Sequence, residues 1–249
     1  MLILLPPSET KRPGGSGAPM DAAALALPQL APARAAVVDA LVTLSASPDE
    51  AVRVLKLGAR QHGEIAVNAA LRTAPSMPAV DRYTGVLYDA LDAASLDAPA
   101  RRWLGAHVLI HSAPFGPVAA RDAIPAYRLG AAASLPGLPA LRRVWAGPVT
   151  AALADAAPAF VLDLRSEAYV GLGPVPAGVA GAYVRVVSPG PDGAVRALNH
   201  FNKHAKGALV RRLATERPRI ASASGLLRWA EQAGLQMRPG DAGELQLFA

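Results

Sequence analysis

Phe160-Val161-Leu162-Asp163-Leu164-Arg165-Ser166-Glu167 is the stretch on which the fold turns. A short apolar run of this kind is the length of a buried strand, and it stops abruptly in charge, as strands do where they leave an α/β sheet. Three other runs share the habit. Leu2 to Leu5 is halted by Pro6 and Pro7, His107 to Ile110 leads into Ser112 to Gly116, and Tyr183 to Val187 alternates β-branched residues before a Pro/Gly turn over 189–193. Helical patterns fall between them. Pro32 to Leu44 has apolar residues at helical spacing. Ser47-Pro48-Asp49-Glu50 supplies a cap, a first-turn proline and acids for a helix running to about Leu57, and Glu64 to Leu71 is helical after a short basic turn. Pro99, Phe201 to Thr215 and Ser224 to Gly234 mark the later helices. This alternation predicts an α/β, or mixed α+β, chain: one compact domain over residues 1–249 with a mixed sheet flanked by helices. Leu245 to Phe248 is expected as an edge strand and the Gly/Pro/Ser stretch from Lys11 to Pro19 as a loop that stays mobile unless a ligand orders it.

The 249 residues are 52% hydrophobic and 18% charged, enough apolar material for a sizeable core, which excludes extended disorder. With no cysteine, disulfides, thiolate nucleophiles and thiolate-bound metals are excluded, and a cytoplasmic address becomes the default expectation. No stretch reaches the roughly 20 uninterrupted apolar residues of a membrane helix, so no membrane partner is expected. A formal charge of +6 leans towards polyanionic partners.

Three segments carry candidate chemistry. Ser8, Glu9 and Lys11 follow the first strand. Asp163, Ser166 and Glu167 follow a later one, where carboxylates beside a hydroxyl suit acid–base work, and where Ser166 followed by an acid suits helix capping equally well. The third is His200-Phe201-Asn202-Lys203-His204-Ala205-Lys206-Gly207, the densest polar stretch, with Arg211 and Arg212 beyond it. Lys203 and Lys206 are placed on one solvated helical face, either as phosphate contacts together with His200 and Asn202 or as plain surface charge. His200 and His204 have the spacing of metal ligands. Neither a following Glu nor a third ligand accompanies them, so no metal site is read here, and no cofactor is implied. Arg128, in an apolar setting, needs a carboxylate or phosphate. The strands' ends are expected to bring Glu9, Lys11, Asp163, Ser166, Glu167, Asn202 and Lys203 to one site.

Taken in order, MLILLPPSETK (1–11), YTGVLYDAL (83–91), PAYRL (125–129), the Trp145 segment, LDLRSEAY (162–169) and HFNKHAKGALVRRL (200–213) resemble the YaaA peroxide-stress family of bacterial cytoplasmic proteins. The resemblance implies a compact mixed α/β fold with a helix-hairpin-helix element, a positively charged cleft, binding to double-stranded DNA and a role in limiting damage by hydrogen peroxide. It places that element at residues 48–72, with Arg53, Lys56, Arg60 and Arg72 as its phosphate-facing charges. Two readings of function follow. One is non-specific binding of duplex DNA; the other is an enzyme acting on a nucleotide, nucleobase or similar small anionic substrate in a pocket built from Ser8, Glu9, Lys11, Asp163, Ser166, Glu167 and Lys203.

Overall fold

A computed structural model describes residues 1–189, 195–197 and 201–249. Of the turn expected over 189–193, Pro189 ends a strand and residues 190–193 lie outside the described residues, as does His200. The strands are β1 (Leu2–Leu5), β2 (Gly17–Pro19), β3 (Pro75–Pro78), β4 (Val108–Ser112), β5 (Gly116–Ala119), β6 (Ala123–Ile124), β7 (Val161–Asp163), β8 (Gly181–Pro189), β9 (Val195–Ala197), β10 (Met237–Pro239) and β11 (Glu244–Phe248). The helices are α1 (Ala31–Leu44), α2 (Pro48–Leu55), α3 (Gly63–Ala69), α4 (Ala79–Arg82), α5 (Val86–Leu91), α6 (Ala98–His107), α7 (Leu141–Asp155), α8 (Glu167–Val170), α9 (Phe201–Glu216) and α10 (Ala223–Gln232).

The main sheet runs β10-β11-β8-β7-β1-β4-β5, with β9 pairing on β8. Strands β11, β8, β7, β1 and β4 are parallel neighbours, and the antiparallel β10, β5 and β9 lie at its margins, which makes the sheet mixed as the sequence predicts. Strands β1, β4 and β7 are covered on both faces, which is why their sequences read as unbroken apolar runs. The expectation of an edge strand at Leu245 to Phe248 is corrected. β11 lies between β10 and β8, with Leu245 and Leu247 buried in the core, and the turn through Gly243 folds β10 across its outer side.

A three-stranded sheet, β2-β3-β6, corrects a second expectation. The segment from Lys11 to Pro19 is tied down rather than loose: Lys11 bridges to Tyr83, and Gly17 pairs with Ser76. Its glycines serve close approach. A Cβ on Gly15 would lie 2.5 Å from the Ser76 carbonyl oxygen, and one on Gly17 2.7 Å from Ser76 Oγ. Buried Arg82 locks the arrangement by donating to the carbonyls of Ile124, Arg12 and Pro75. Arg34 on α1 acts likewise, donating to the carbonyls of Phe115, Leu27, Ala26 and Pro117.

Helix α9 packs across α5 and β8, and Gly207 is what lets it do so, because a Cβ there would sit 2.1 Å from the Leu87 carbonyl oxygen. Alanine in a helix interior ordinarily gains up to ~1 kcal/mol over glycine. Here the clash should win, and Gly207→Ala is expected to destabilise the chain by about 1–3 kcal/mol in urea unfolding. A stabilised variant would mean that the α5–α9 packing yields easily.

Candidate functional site

The pleat assembles the first group of residues. Asp163 pairs with Tyr183, and Tyr183 with Glu244, so one row across three parallel strands presents these side chains on one face of the sheet, with Arg185 two residues further along β8. Over this face the Pro/Gly-rich segment from Val170 to Val179 forms a wall, enclosing a cleft of about 600 Å³. Glu167, at the start of α8, stands at its margin.

Charges in the cleft are arranged in pairs. Arg185 donates Nε and Nη2 to the Glu244 carboxylate at 3.0 and 2.6 Å, which holds that carboxyl below the usual carboxylate range, and its Nη1 lies 3.9 Å from Glu167. Asp163 is nearly buried and receives Arg165 three times, from the backbone N–H at 3.0 Å, Nε at 2.9 Å and Nη2 at 2.6 Å. Arg165, fully buried, also donates Nη1 to His111 Nδ1 at 3.0 Å. That bond assigns the ring proton to Nε2, and burial with the Arg165 charge keeps His111 neutral, its pKa well below the usual value. Nε2 has no hydrogen-bond partner among the described residues.

Lys206 corrects a sequence expectation. Instead of sharing a solvated face with Lys203, it is 4% exposed, with Nζ 5.2 Å from the Tyr183 ring centroid. Burial lowers its pKa to about 8 against the pull of Asp163. The reason is the packing of α9, which turns the Lys206–Gly207 side inward while Lys203 and His204 stay exposed.

Residues after β1 form a neighbouring group. Lys11 Nζ donates to the carbonyls of Ser8 at 3.0 Å and Glu9 at 3.2 Å and lies 4.0 Å from the Tyr127 ring centroid. Burial, reinforced by the Arg128 charge, lowers its pKa to about 7. The Tyr83 and Tyr127 hydroxyls are 2.8 Å apart, and burial holds both phenols well above their usual pKa. Arg128 pairs with Glu9 at 3.3 Å, and its backbone is clamped by buried Asn68 of α3 through bonds of 2.8 and 2.9 Å. Tyr169 stands between the groups, its ring 5.9 Å from His111 and its phenol raised by burial and by Glu9.

Asp163 and Glu167 line the cleft, whereas Glu9 and Lys11 belong to the adjoining tyrosine group. Ser166 is exposed and caps α8 with no side-chain bond. Asn202 is half-buried on α9, its Oδ1 without a partner among the described residues.

Several anion-binding candidates already have internal partners. Arg53 pairs with Glu50 at 3.2 Å, Arg72 with Asp39 and Arg212 with Glu216. Arg211 caps α5 by donating to the carbonyls of Leu91 and Asp92 and to Ser95 Oγ. Lys56 and Arg60 are exposed on the turn joining α2 to α3. Sequence reading did not single out Tyr183, Arg185, Glu244 or His111. The alternation of Tyr183 and Arg185 along a strand was a usable signal for the first two, but Glu244 enters only through the β8–β11 register, which sequence does not display. Among the described residues no three His, Cys, Asp or Glu side chains come together as metal ligands, and no helix is long and apolar enough to cross a membrane.

Against this geometry the comparisons are direct. The family described as peroxide stress protein YaaA matches residues 1–240. The chain belongs to the YaaA peroxide-stress family. It is 47% identical over 229 residues to the UPF0246 protein CE1889 of Corynebacterium efficiens, covering 90% of this chain and 89% of that one. It is 44% identical over 239 residues to UPF0246 protein Cgl1995/cg2186 of Corynebacterium glutamicum, 94% of each chain. To UPF0246 protein SCO2297 of Streptomyces coelicolor it is 46% identical over 217 residues, 86% of this chain and 82% of the other. The family match spans the tyrosine group and the β7 and β8 side of the cleft, and it stops before the Gly243 turn and β11, which carry Glu244.

Proposed function

We propose that this YaaA-family chain is a cytoplasmic enzyme of the peroxide-stress response that binds a small planar molecule of the nucleobase class in the cleft over β7, β8 and β11. The observation that carries the reading is the row Asp163, Tyr183 and Glu244 beneath a cleft of about 600 Å³, within the range of small-molecule sites. Its wall is built of prolines and valines, and its floor and margin carry three carboxylates, Asp163, Glu244 and Glu167, with Arg185 as the one lining cation among the described residues. That lining suits a flat ring whose N–H groups donate to acids, and it is poorly matched to the anionic substrate expected from sequence. Lys206, buried behind Tyr183 and outside the cleft's lining, is partly neutral near pH 8 and would exchange protons with the cleft only through its neighbours Tyr183 and Asp163.

The test is a thermal-shift series with adenine, guanine, cytosine and uracil. A base at 100-fold over its dissociation constant should add about 2.7 kcal/mol of stability. Tyr183→Ala and Glu167→Gln should each weaken that binding at least tenfold while the free protein melts normally. No shift with any base, or a shift untouched by Tyr183→Ala, would count against the cleft.

A second reading, non-specific binding of duplex DNA, is supported by the exposed Lys56 and Arg60 on the α2–α3 turn and by the charge of +6. Each phosphate contact contributes about −0.9 to the slope of log affinity against log salt. Lys56→Ala with Arg60→Ala is expected to flatten that slope by about 2 for unrelated duplexes alike. Strong preference for one sequence, or an unchanged slope, would remove this element from the interface.

A further inference from the structure

A second cleft, of about 410 Å³, opens at the N-terminal ends of β1 and β4, and it shares no lining residue with the first. Its lining has the opposite character. Arg217 and Arg219 supply two guanidinium groups, and Trp103 and His107 an aromatic wall, their ring centroids 4.5 Å apart and their planes tilted by 36°. No acid lines it, and neither arginine forms an ion pair among the described residues. His107 Nδ1 lies 2.8 Å from the Met1 carbonyl oxygen, which can only accept, so Nδ1 is the donor and Nε2 is left for a ligand.

We infer that this cleft is a binding site for a nucleoside phosphate, with the base against Trp103 and the phosphate between Arg217 and Arg219. Planar guanidinium forks match phosphate oxygens in pairs, and an indole face accepts any base by stacking. The simpler explanation is that the cations answer the C-terminal dipole of α9. One arginine in the last turn would do that. It leaves unexplained a second arginine two residues on, and a partly exposed indole in the same concavity. Arg217 also stands at φ 52°, a left-handed conformation that favours glycine, so the backbone there would be easier without the side chain it carries.

Adenosine monophosphate added to the full chain is the direct probe. Trp103 is the most exposed of the three tryptophans, Trp145 being 0% and Trp229 9% exposed, so binding should quench the fluorescence. The monophosphate should bind at least tenfold tighter than adenosine and than inorganic phosphate. Arg217→Gly with Arg219→Ala should abolish that advantage while the melt stays cooperative, since glycine relieves the backbone at 217. Tyr183→Ala, in the other cleft, should leave it intact. A 5′-phosphorylated oligothymidylate distinguishes the sources: tighter binding than the monophosphate identifies a strand end, equal or weaker binding a free nucleotide, and either outcome supports the site. Equal affinity for adenosine and its phosphate, or full affinity in the arginine variant, would overturn it.

Discussion

Replacing Arg165 with leucine is expected to cost about 3–5 kcal/mol of stability, the loss typical when one member of a buried ion pair is removed. Three of the four donations that Arg165 makes to side chains or through its backbone end on Asp163, whose side chain is 6% exposed. Without the guanidinium, the Asp163 carboxyl is left without its partner in a place that water hardly reaches, and His111 Nδ1 loses its donor. Lys206 can offset part of this through its attraction to Asp163, which is why the lower end of the range is the safer expectation. The double variant Asp163→Asn with Arg165→Leu removes the stranded charge and should recover a large part of the loss. Urea midpoints at constant m-value decide the matter. A single variant within 1 kcal/mol of the parent would show that the pair is a surface feature in solution, and the row across β7, β8 and β11 would lose its anchor.

Where pattern and burial coincide, the fold was legible in the sequence. The runs at β1, β4 and β7 are apolar because both faces of those strands are covered, and α2 begins at Pro48 because proline and two acids suit a helix start. The failures have a common physical cause, which is contact between segments distant in the chain. Glycines at 15 and 17 look like a flexible loop until Ser76 is set against them, and Lys206 looks solvated until Gly207 brings α9 onto α5. The buried arginines escaped for the same reason, since Arg34 and Arg82 are held by backbone carbonyls, several of them from remote turns, while the acids nearest in sequence, Asp39 and Asp81, pair with Arg72 and Arg101 instead. Of the candidate site, Asp163 and Glu167 were readable as polar residues closing an apolar run. Glu244 enters only through the register of β11 on β8, so the third carboxylate of the cleft could not be anticipated.

The protein should be most stable in mildly alkaline solution, an unusual place for the maximum. Lys11 has a pKa of about 7 in the folded chain and Lys206 about 8, both below the ordinary 10.5 because burial disfavours the charged amine. Between these values and 10.5 the unfolded chain binds more protons than the folded one, so stability rises with pH across that window. Below pH 7 the folded state bears the full cost of charging both amines. Each pKa unit corresponds to 1.36 kcal/mol, so a lowering from 10.5 to about 7 at Lys11 and to about 8 at Lys206 together correspond to a rise on the order of 8 kcal/mol across the whole window. Tyrosines oppose it further on. Tyr83, Tyr88 and Tyr127 have raised pKa values in the fold, so above about pH 10 the unfolded chain loses phenolic protons first and stability falls again. Urea unfolding from pH 6 to 11 should therefore trace a peak near pH 9–10. Lys11→Met should be flatter on the rising side and nearly unaltered on the falling side, because it removes one lysine and no tyrosine. A maximum between pH 6 and 8, unmoved by Lys11→Met, would mean that the amine is solvated, and the enclosure of Lys11 by Tyr83, Tyr127 and Arg128 would have to be abandoned.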